Sequence, residues 1–363
     1  MGTLYLHIGT PKTGTSAIQV FMGKNRHILK KKGVCYPDFR LEFPGIGANR
    51  NAHFLVHRYF DKNKKRDYEA EKSIQEKAFS LLLENLSRYD KVVMSDEGIW
   101  NGFEFFEDFW KKLYQKITDA GHELKVIVYL RRQDVFIQSY WAQQVKETST
   151  MTFQQFIEKK RYEKCHLDYD VSLEQIANVI GNNNMIVRVY EKGQYYGNSL
   201  VSDFLHIIGL EMDDSFCAPD IMVNQSISGI SLEIKRILNT MPEYKEKRNF
   251  LVDYLRKLSS QENKASDFSR TATFLPEQQQ SFMAQYEKGN ELVAKQYLKK
   301  ADGILFEEKV ENIEGSTQEY TKEELVKACG QLMLFMEKQL EKEKKKNTFF
   351  KKTKRKIRKI RKL

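Results

Sequence analysis

The chain has 363 residues, 41% of them hydrophobic and 12% aromatic, with only 6 Pro and 19 Gly; this excludes a disordered or collagen-like polymer and leaves room for one large α/β unit with an appendage. The net charge of +11 is local, because twelve Lys and Arg and no acid lie between Lys344 and Leu363, and the rest of the chain is nearly neutral. A neutral body lacks the broad cationic face that nucleic-acid binding requires, so nucleic acid is not an expected partner.

In chain order, Leu4 to Ile8, Lys91 to Met94, Leu124 to Leu130 and Met185 to Tyr190 are short, nearly continuous apolar runs rich in β-branched residues. Continuous rather than alternating hydrophobicity predicts strands of a parallel sheet covered on both faces. Helices are predicted between them: Ser16 to Lys31 ending at Gly33, Tyr68 to Ser87, Phe105 to Ala120, Val135 to Lys146, Leu173 to Ile180 and Ser199 to Ile208. The alternation predicts a doubly wound α/β fold with a mainly parallel central sheet flanked by helices.

The stretch Asp38 to Asn63 is irregular, holding Phe43-Pro44-Gly45 and two histidines, His53 and His57, and loops of that length are often functional. After Ser226 the pattern is helical, through Leu232 to Leu238, Phe250 to Leu258, Glu277 to Lys299 and Lys322 to Lys345. The expected organisation is an α/β domain over 1–310, a helical extension over 311–343 and a basic tail over 344–363, disordered or lying on a membrane surface. In that tail Ile357, Ile360 and Leu363 recur every three residues, a spacing that places them on one helical face among cations and suits an anionic membrane surface.

Cys35, Cys165, Cys217 and Cys329 lie far apart, with no CxxC pair and no His at zinc-ligand spacing, so neither a disulfide framework nor a structural metal is expected. No signal-peptide pattern opens the chain and no run approaches the roughly 18 apolar residues that span a bilayer. The expected location is the cytoplasm, with peripheral attachment to the inner membrane face through the tail.

Directly after the first strand comes Gly9-Thr10-Pro11-Lys12-Thr13-Gly14-Thr15-Ser16, then a helix. Strand, glycine loop and helix form an anion cradle, in which loop and first-turn N–H groups point at a phosphate and the helix dipole favours its charge. The spacing of Gly9 and Gly14 fits the nucleotide-triphosphatase pattern G-x-x-x-x-G-K-[ST], but Thr15 stands where the Lys belongs and the Lys is at position 12. Farther on, the strand Leu124 to Leu130 runs into Arg131, with Ser139 eight residues later on the following helix, and the fourth strand ends in Tyr190-Glu191.

In these segments the chain resembles the sulfotransferases that use 3′-phosphoadenosine 5′-phosphosulfate (PAPS). The resemblance covers roughly residues 3 to 310. It implies that Pro11, Lys12, Thr13, Gly14, Thr15 and Ser16 hold the 5′-phosphosulfate, that Arg131 and Ser139 hold the 3′-phosphate, and that Tyr190 lies by the adenine. It further implies sulfuryl transfer from PAPS to a hydroxyl of a carbohydrate or glycolipid, leaving 3′-phosphoadenosine 5′-phosphate (PAP), with a bacterial origin resting on the resemblance alone. Aromatics such as Trp100, Phe103, Phe105, Phe106 and Trp141 are candidates for sugar platforms.

Such a transfer needs a cation at the departing oxygen and a base for the hydroxyl proton. Lys12 is the cation. The strand Lys91 to Met94 ends in Ser95-Asp96-Glu97 at the carboxyl edge of the sheet, so Glu97 ranks first as base and His53 second, with Asp96 and His57 behind. No metal is required, because the donor already carries activated sulfate. Two other readings stay open: a nucleotide-dependent kinase, for which Asp96 is the one good magnesium-holding candidate, and a non-catalytic adaptor that binds through its tail.

Overall fold

The structure is a computed structural model that describes residues 1–40, 49–105, 108–218, 227, 229–244, 252–256, 259, 274–308 and 320–360. Phe43-Pro44-Gly45, Phe106, parts of the expected helix Phe250 to Leu258 and Leu363 of the tail lie outside these residues.

Five parallel strands form the central sheet: β1 (Thr3–His7), β2 (Val34–Cys35), β3 (Lys91–Ser95), β4 (Glu123–Leu130) and β5 (Met185–Val189), in the spatial order β2-β3-β1-β4-β5. The protein is thus an α/β protein with an all-parallel sheet flanked by helices. Leu4, Leu6, Val92, Met94, Val126 and Val128 are fully buried, as strands covered on both faces require. Their burial removes apolar area from water at roughly 25 cal/mol per Å². With two residues, β2 is too short for a period to announce it.

The expected helix over Ser16 to Lys31 is two helices, α1 (Thr15–Lys24) and α2 (Arg26–Lys31). Asn25 separates them. Its amide donates to the carbonyls of Phe21 and Cys217 at 3.0 and 3.2 Å and its carbonyl accepts from the Cys217 N–H at 2.8 Å, so its side chain competes for backbone groups at the junction. Gly33, at φ 79, closes the second turn as expected, donating to the Lys30 carbonyl at 3.1 Å.

Next come α3 (Tyr68–Arg88), α4 (Gly98–Gly102), α5 (Phe109–Thr118), α6 (Gln133–Glu147), α7 (Phe153–Glu158), α8 (Tyr169–Ile180) and α9 (Leu200–Ile207). Asp67 caps α3 by accepting from the Ala70 N–H at 3.0 Å, and Ser199 caps α9 by accepting from the Ser202 N–H at 3.1 Å.

The chain forms two compact units. The first, Met1–Ile137, Arg161–Asn224 and Glu277–Asn312, holds the sheet. The second comprises Gln138–Lys160, Gln225–Pro276 and Ile313–Leu363. It includes α10 (Gly229–Leu238) and a helix over Lys322–Ile360, so the backbone is helical well into the basic tail. Asn239 donates to the carbonyls of Val145 and Ser149 and joins the end of α10 to the end of α6 within this unit. Among the described residues no helix is long and apolar enough to cross a membrane.

Candidate active site at the carboxyl edge of the sheet

With β3 on one side of β1 and β4 on the other, the connections leaving β1 and β4 diverge at the carboxyl edge, which is where open α/β sheets bind ligands. The glycine loop sits at this point. It is tied to β4 by bonds from the Ile8 N–H to the Ile127 carbonyl (3.0 Å), from the Tyr129 N–H to the Gly9 carbonyl (2.7 Å) and from the Thr10 N–H to the Tyr129 carbonyl (2.9 Å). The fully buried hydroxyl of Thr13 donates to the Thr10 carbonyl at 2.5 Å and stiffens the loop from within.

Gly9, Lys12 and Gly14 hold φ values of 107, 67 and 72, and Gly14 starts α1 by accepting from the N–H groups of Ala17 and Ile18. A left-handed backbone at Lys12 costs a non-glycine residue on the order of 1–3 kcal/mol and persists only where the surroundings impose it, a mark of functional loops. At Gly14 a methyl group would lie 2.3 Å from Leu200 Cδ2 and 3.2 Å from Tyr190 Cε2, so the Tyr190 ring flanks the loop closely. Pro11, Lys12 and Gly14 are half-buried, Thr13 and Thr15 buried and Ser16 exposed.

Arg131 leaves the end of β4 and its Nη1 donates to the Lys12 carbonyl at 2.8 Å, while its guanidinium carbon lies 5.5 Å from the centroid of the Tyr190 ring. Tyr169 donates its hydroxyl to the Arg131 carbonyl at 2.6 Å and fixes the turn. Among the described residues no carboxylate pairs with Arg131. Burial therefore pushes its pKa down, with the nearby tyrosines and Asp134 opposing. Beside it opens a cavity of about 330 Å³ whose lining includes Arg131, Arg132, Tyr190, Lys192 and Tyr195. The structure thus gathers Lys12, Gly14, Arg131 and Tyr190, which the sequence holds 178 positions apart at the extremes. Ser139, on α6, belongs to the second unit and is half-buried; its relation to Arg131 is their spacing of eight residues.

On the other side of β1, Glu97 follows β3 with its Cβ 3.2 Å from where a Gly9 Cβ would stand, so the loop and this carboxylate meet at a glycine. Glu97 Oε2 accepts from Gln19 Nε2 at 2.8 Å and lies 3.7 Å from Arg50 Nε. Asp96 is fully buried and differs from its neighbour. Arg50 engages both of its oxygens, the Gly98 N–H donates to Oδ1 at 2.7 Å and His57 Nε2 stands 3.6 Å from Oδ2. Burial would raise its pKa, but His57 and Arg50 outweigh that and hold the carboxyl below the usual range. His53, in a short turn over His53–Leu55, is buried with Nδ1 against the Arg50 carbonyl, and burial lowers its pKa although that carbonyl opposes the shift.

No family model matches the chain. Over 193 residues, 52% of the chain, it is 30% identical to an uncharacterised protein of Archaeoglobus fulgidus, and the match covers 50% of that protein. The chain thus spans about half the length of this curated relative. A crystal structure of a sulfotransferase from Alicyclobacillus acidocaldarius is similar over 70% of this chain and 95% of that one, with a TM-score of 0.36 and 14% identity.

Arg50 and Gln19 are the site residues that sequence reading missed. Arg50 lies in the irregular stretch, where no period marks it, and Gln19 reads as one more polar position of an amphipathic helix. Of the aromatics considered as sugar platforms, Trp100, Phe103 and Trp141 are buried, whereas Phe105 is 69% exposed with Arg58 over its ring at 5.7 Å. Burial among other side chains makes the first three packing residues.

Proposed function

We propose that the chain is a PAPS-dependent sulfotransferase that moves a sulfuryl group to a hydroxyl of a carbohydrate or glycolipid. The observation that carries this reading is the guanidinium of Arg131, half-buried, without an ion-pair partner among the described residues, and bonded to the glycine loop through the Lys12 carbonyl. A half-buried cation with no ion-pair partner among the described residues, beside a cradle of backbone N–H groups, suits a ligand with two anionic groups joined by a nucleoside. In this reading the nucleoside takes the adjoining cavity, lined by Arg131, Glu191, Lys192 and Glu308, beside the Tyr190 ring.

In this reading the donor supplies an already activated sulfuryl group when bound. Backbone N–H groups of residues 12–16 and the start of α1 hold its 5′ end, and Arg131 holds the 3′-phosphate. Lys12 neutralises charge at the departing oxygen, where preorganised cations contribute most. Glu97 takes the hydroxyl proton. Its Oε1 accepts no bond among the described residues, so that oxygen is open to a proton while Oε2 is anchored. Asp96 has both oxygens engaged by Arg50, which supports Glu97 over it, while His53, with Nδ1 against the Arg50 carbonyl, stays second. The same commitment weakens the kinase reading, because Asp96, its magnesium ligand, is engaged by Arg50 and the Gly98 N–H.

The basic tail, helical in backbone to Ile360, would rest on an anionic membrane surface and bring the site to a glycolipid acceptor at the inner face. Calorimetry tests the central reading: PAP should bind and ATP with Mg²⁺ should not. Binding of ATP alone would replace the sulfotransferase by a kinase, and binding of neither would leave the adaptor.

A further inference from the structure

Gln19 is buried on the face of α1 that meets the sheet, 3% exposed, and its side-chain amide has two donor hydrogens. One bond runs to Glu97 Oε2 at 2.8 Å and the other to Ser95 Oγ at 3.2 Å. Ser95 Oγ in turn lies 2.9 Å from Nδ1 of His7, at the end of β1, and His7 is fully buried between Tyr129 and Phe204. Burial keeps His7 neutral, its pKa pushed down to about 3, so Nδ1 can accept the Ser95 hydroxyl hydrogen. The hydroxyl oxygen is then free to accept from Gln19. A flipped amide would set its carbonyl against the Glu97 carboxylate, so the bond from Gln19 to Glu97 has one favourable sense.

We infer that Gln19 is a positioning residue for the reaction, holding one oxygen of Glu97 through a buried chain anchored at His7 so that the other oxygen is presented to the acceptor hydroxyl. This rests on the sulfotransferase reading and on Glu97 as its base. Arg50 restrains the same oxygen more loosely, at 3.7 Å, and is itself committed to Asp96. A carboxylate held by a neutral donor keeps its place without losing its affinity for a proton to the extent that a tight ion pair imposes. The charged and titratable groups around Glu97 are Arg50, Asp96 with His57, Tyr36 and neutral His7 behind Ser95. None of them replaces the amide.

The test uses the full chain with Gln19→Leu and Gln19→Glu. For Gln19→Leu, kcat should fall tenfold or more while PAP affinity and KM for PAPS stay within twofold, since a misplaced base impairs chemistry and not nucleotide binding. For Gln19→Glu, a second carboxyl would share a proton with Glu97, so the rising limb of the kcat–pH profile should move up by about one pH unit. Carbon-13 NMR of glutamate-labelled protein reads the same contact without turnover: in Gln19→Leu the Glu97 carboxyl resonance should move from its wild-type position, because the bond from Gln19 Nε2 is gone. A kcat within twofold for Gln19→Leu, or an unmoved limb for Gln19→Glu, overturns the inference and leaves the sulfotransferase standing. If the wild type binds no PAP, the sulfotransferase reading fails instead, and an unmoved Glu97 carboxyl resonance in Gln19→Leu then overturns the positioning contact on its own.

Discussion

The guanidinium of Arg131 donates to the main-chain carbonyl of Lys12 across 2.8 Å, so the residue at the end of β4 braces the loop that follows β1. The bond uses one of five N–H donors and leaves the others for a ligand. Arg131→Ala should therefore weaken PAP binding about 10- to 100-fold, the value of charge-assisted bonds worth roughly 1.5–3 kcal/mol, and raise KM for PAPS. Titration calorimetry measures it. An effect confined to acceptor KM would show that Arg131 serves another ligand.

Lys12 lies on the loop, so its side chain can be shortened without removing core. Lys12→Ala should lower kcat by on the order of 10²–10³-fold, as the loss of one preorganised electrostatic contact does, with the thermal unfolding midpoint unchanged. Turnover near the wild-type rate would remove the leaving-group role.

Two glycines at similar φ separate conformational strain from steric contact. Gly14 and Gly33 have φ of 72 and 79, but a methyl group at Gly14 meets Leu200 Cδ2 at 2.3 Å while one at Gly33 meets nothing within 4 Å. Gly33→Ala should cost about 1–2 kcal/mol, the left-handed penalty alone. Gly14→Ala should cost about 1–3 kcal/mol more, as overpacking does, and should also reduce PAP affinity. Urea denaturation of the two variants compares them; equal losses would mean that Leu200 and Tyr190 yield freely.

His7 gives stability a pH dependence of definite sign. Burial lowers its pKa from 6.5 to about 3, with Asp96 opposing, so between those values the unfolded chain takes a proton that the folded chain refuses. The stabilising effect is complete above pH 6.5 and is lost as pH falls toward 3, at about 1.4 kcal/mol per pH unit. From pH 7 to pH 5 the wild type should lose about 2 kcal/mol more than His7→Gln, because only the wild type carries this group. Denaturant titrations at the two pH values supply the numbers, and parallel losses would show that His7 accepts a proton in the folded state.

The basic tail should decide attachment to an anionic membrane. Full-length protein should sediment with vesicles containing anionic lipid, and a chain ending at Glu343 should not, since each cation near such a surface contributes about 1 kcal/mol. Sedimentation should weaken as salt is raised. Equal partitioning of the two chains would remove the membrane role.

Much of the site was legible in the order of residues because its parts are local. A strand, the loop Gly9 to Ser16 and a helix start lie within about twenty positions, and Arg131 and Tyr190 mark themselves as polar residues ending apolar runs. The break at Asn25 and the two-residue β2 were not legible, because a side chain reaching Cys217, 192 positions away, decides the first and pairing with β3 decides the second.

By itself the sequence determined the α/β class, the parallel sheet and the position of the loop, since these follow from periods of hydrophobicity and from glycine at positions that need positive φ. Only the tertiary structure decided which carboxylate is open. Asp96 and Glu97 are neighbours of the same chemistry at one strand end. Arg50, brought from 46 residues upstream, engages Asp96, while Gln19, from α1, anchors a single oxygen of Glu97. Partners that distant leave no pattern in a sequence, because hydrogen bonding depends on a few tenths of an ångström in space and not on separation along the chain.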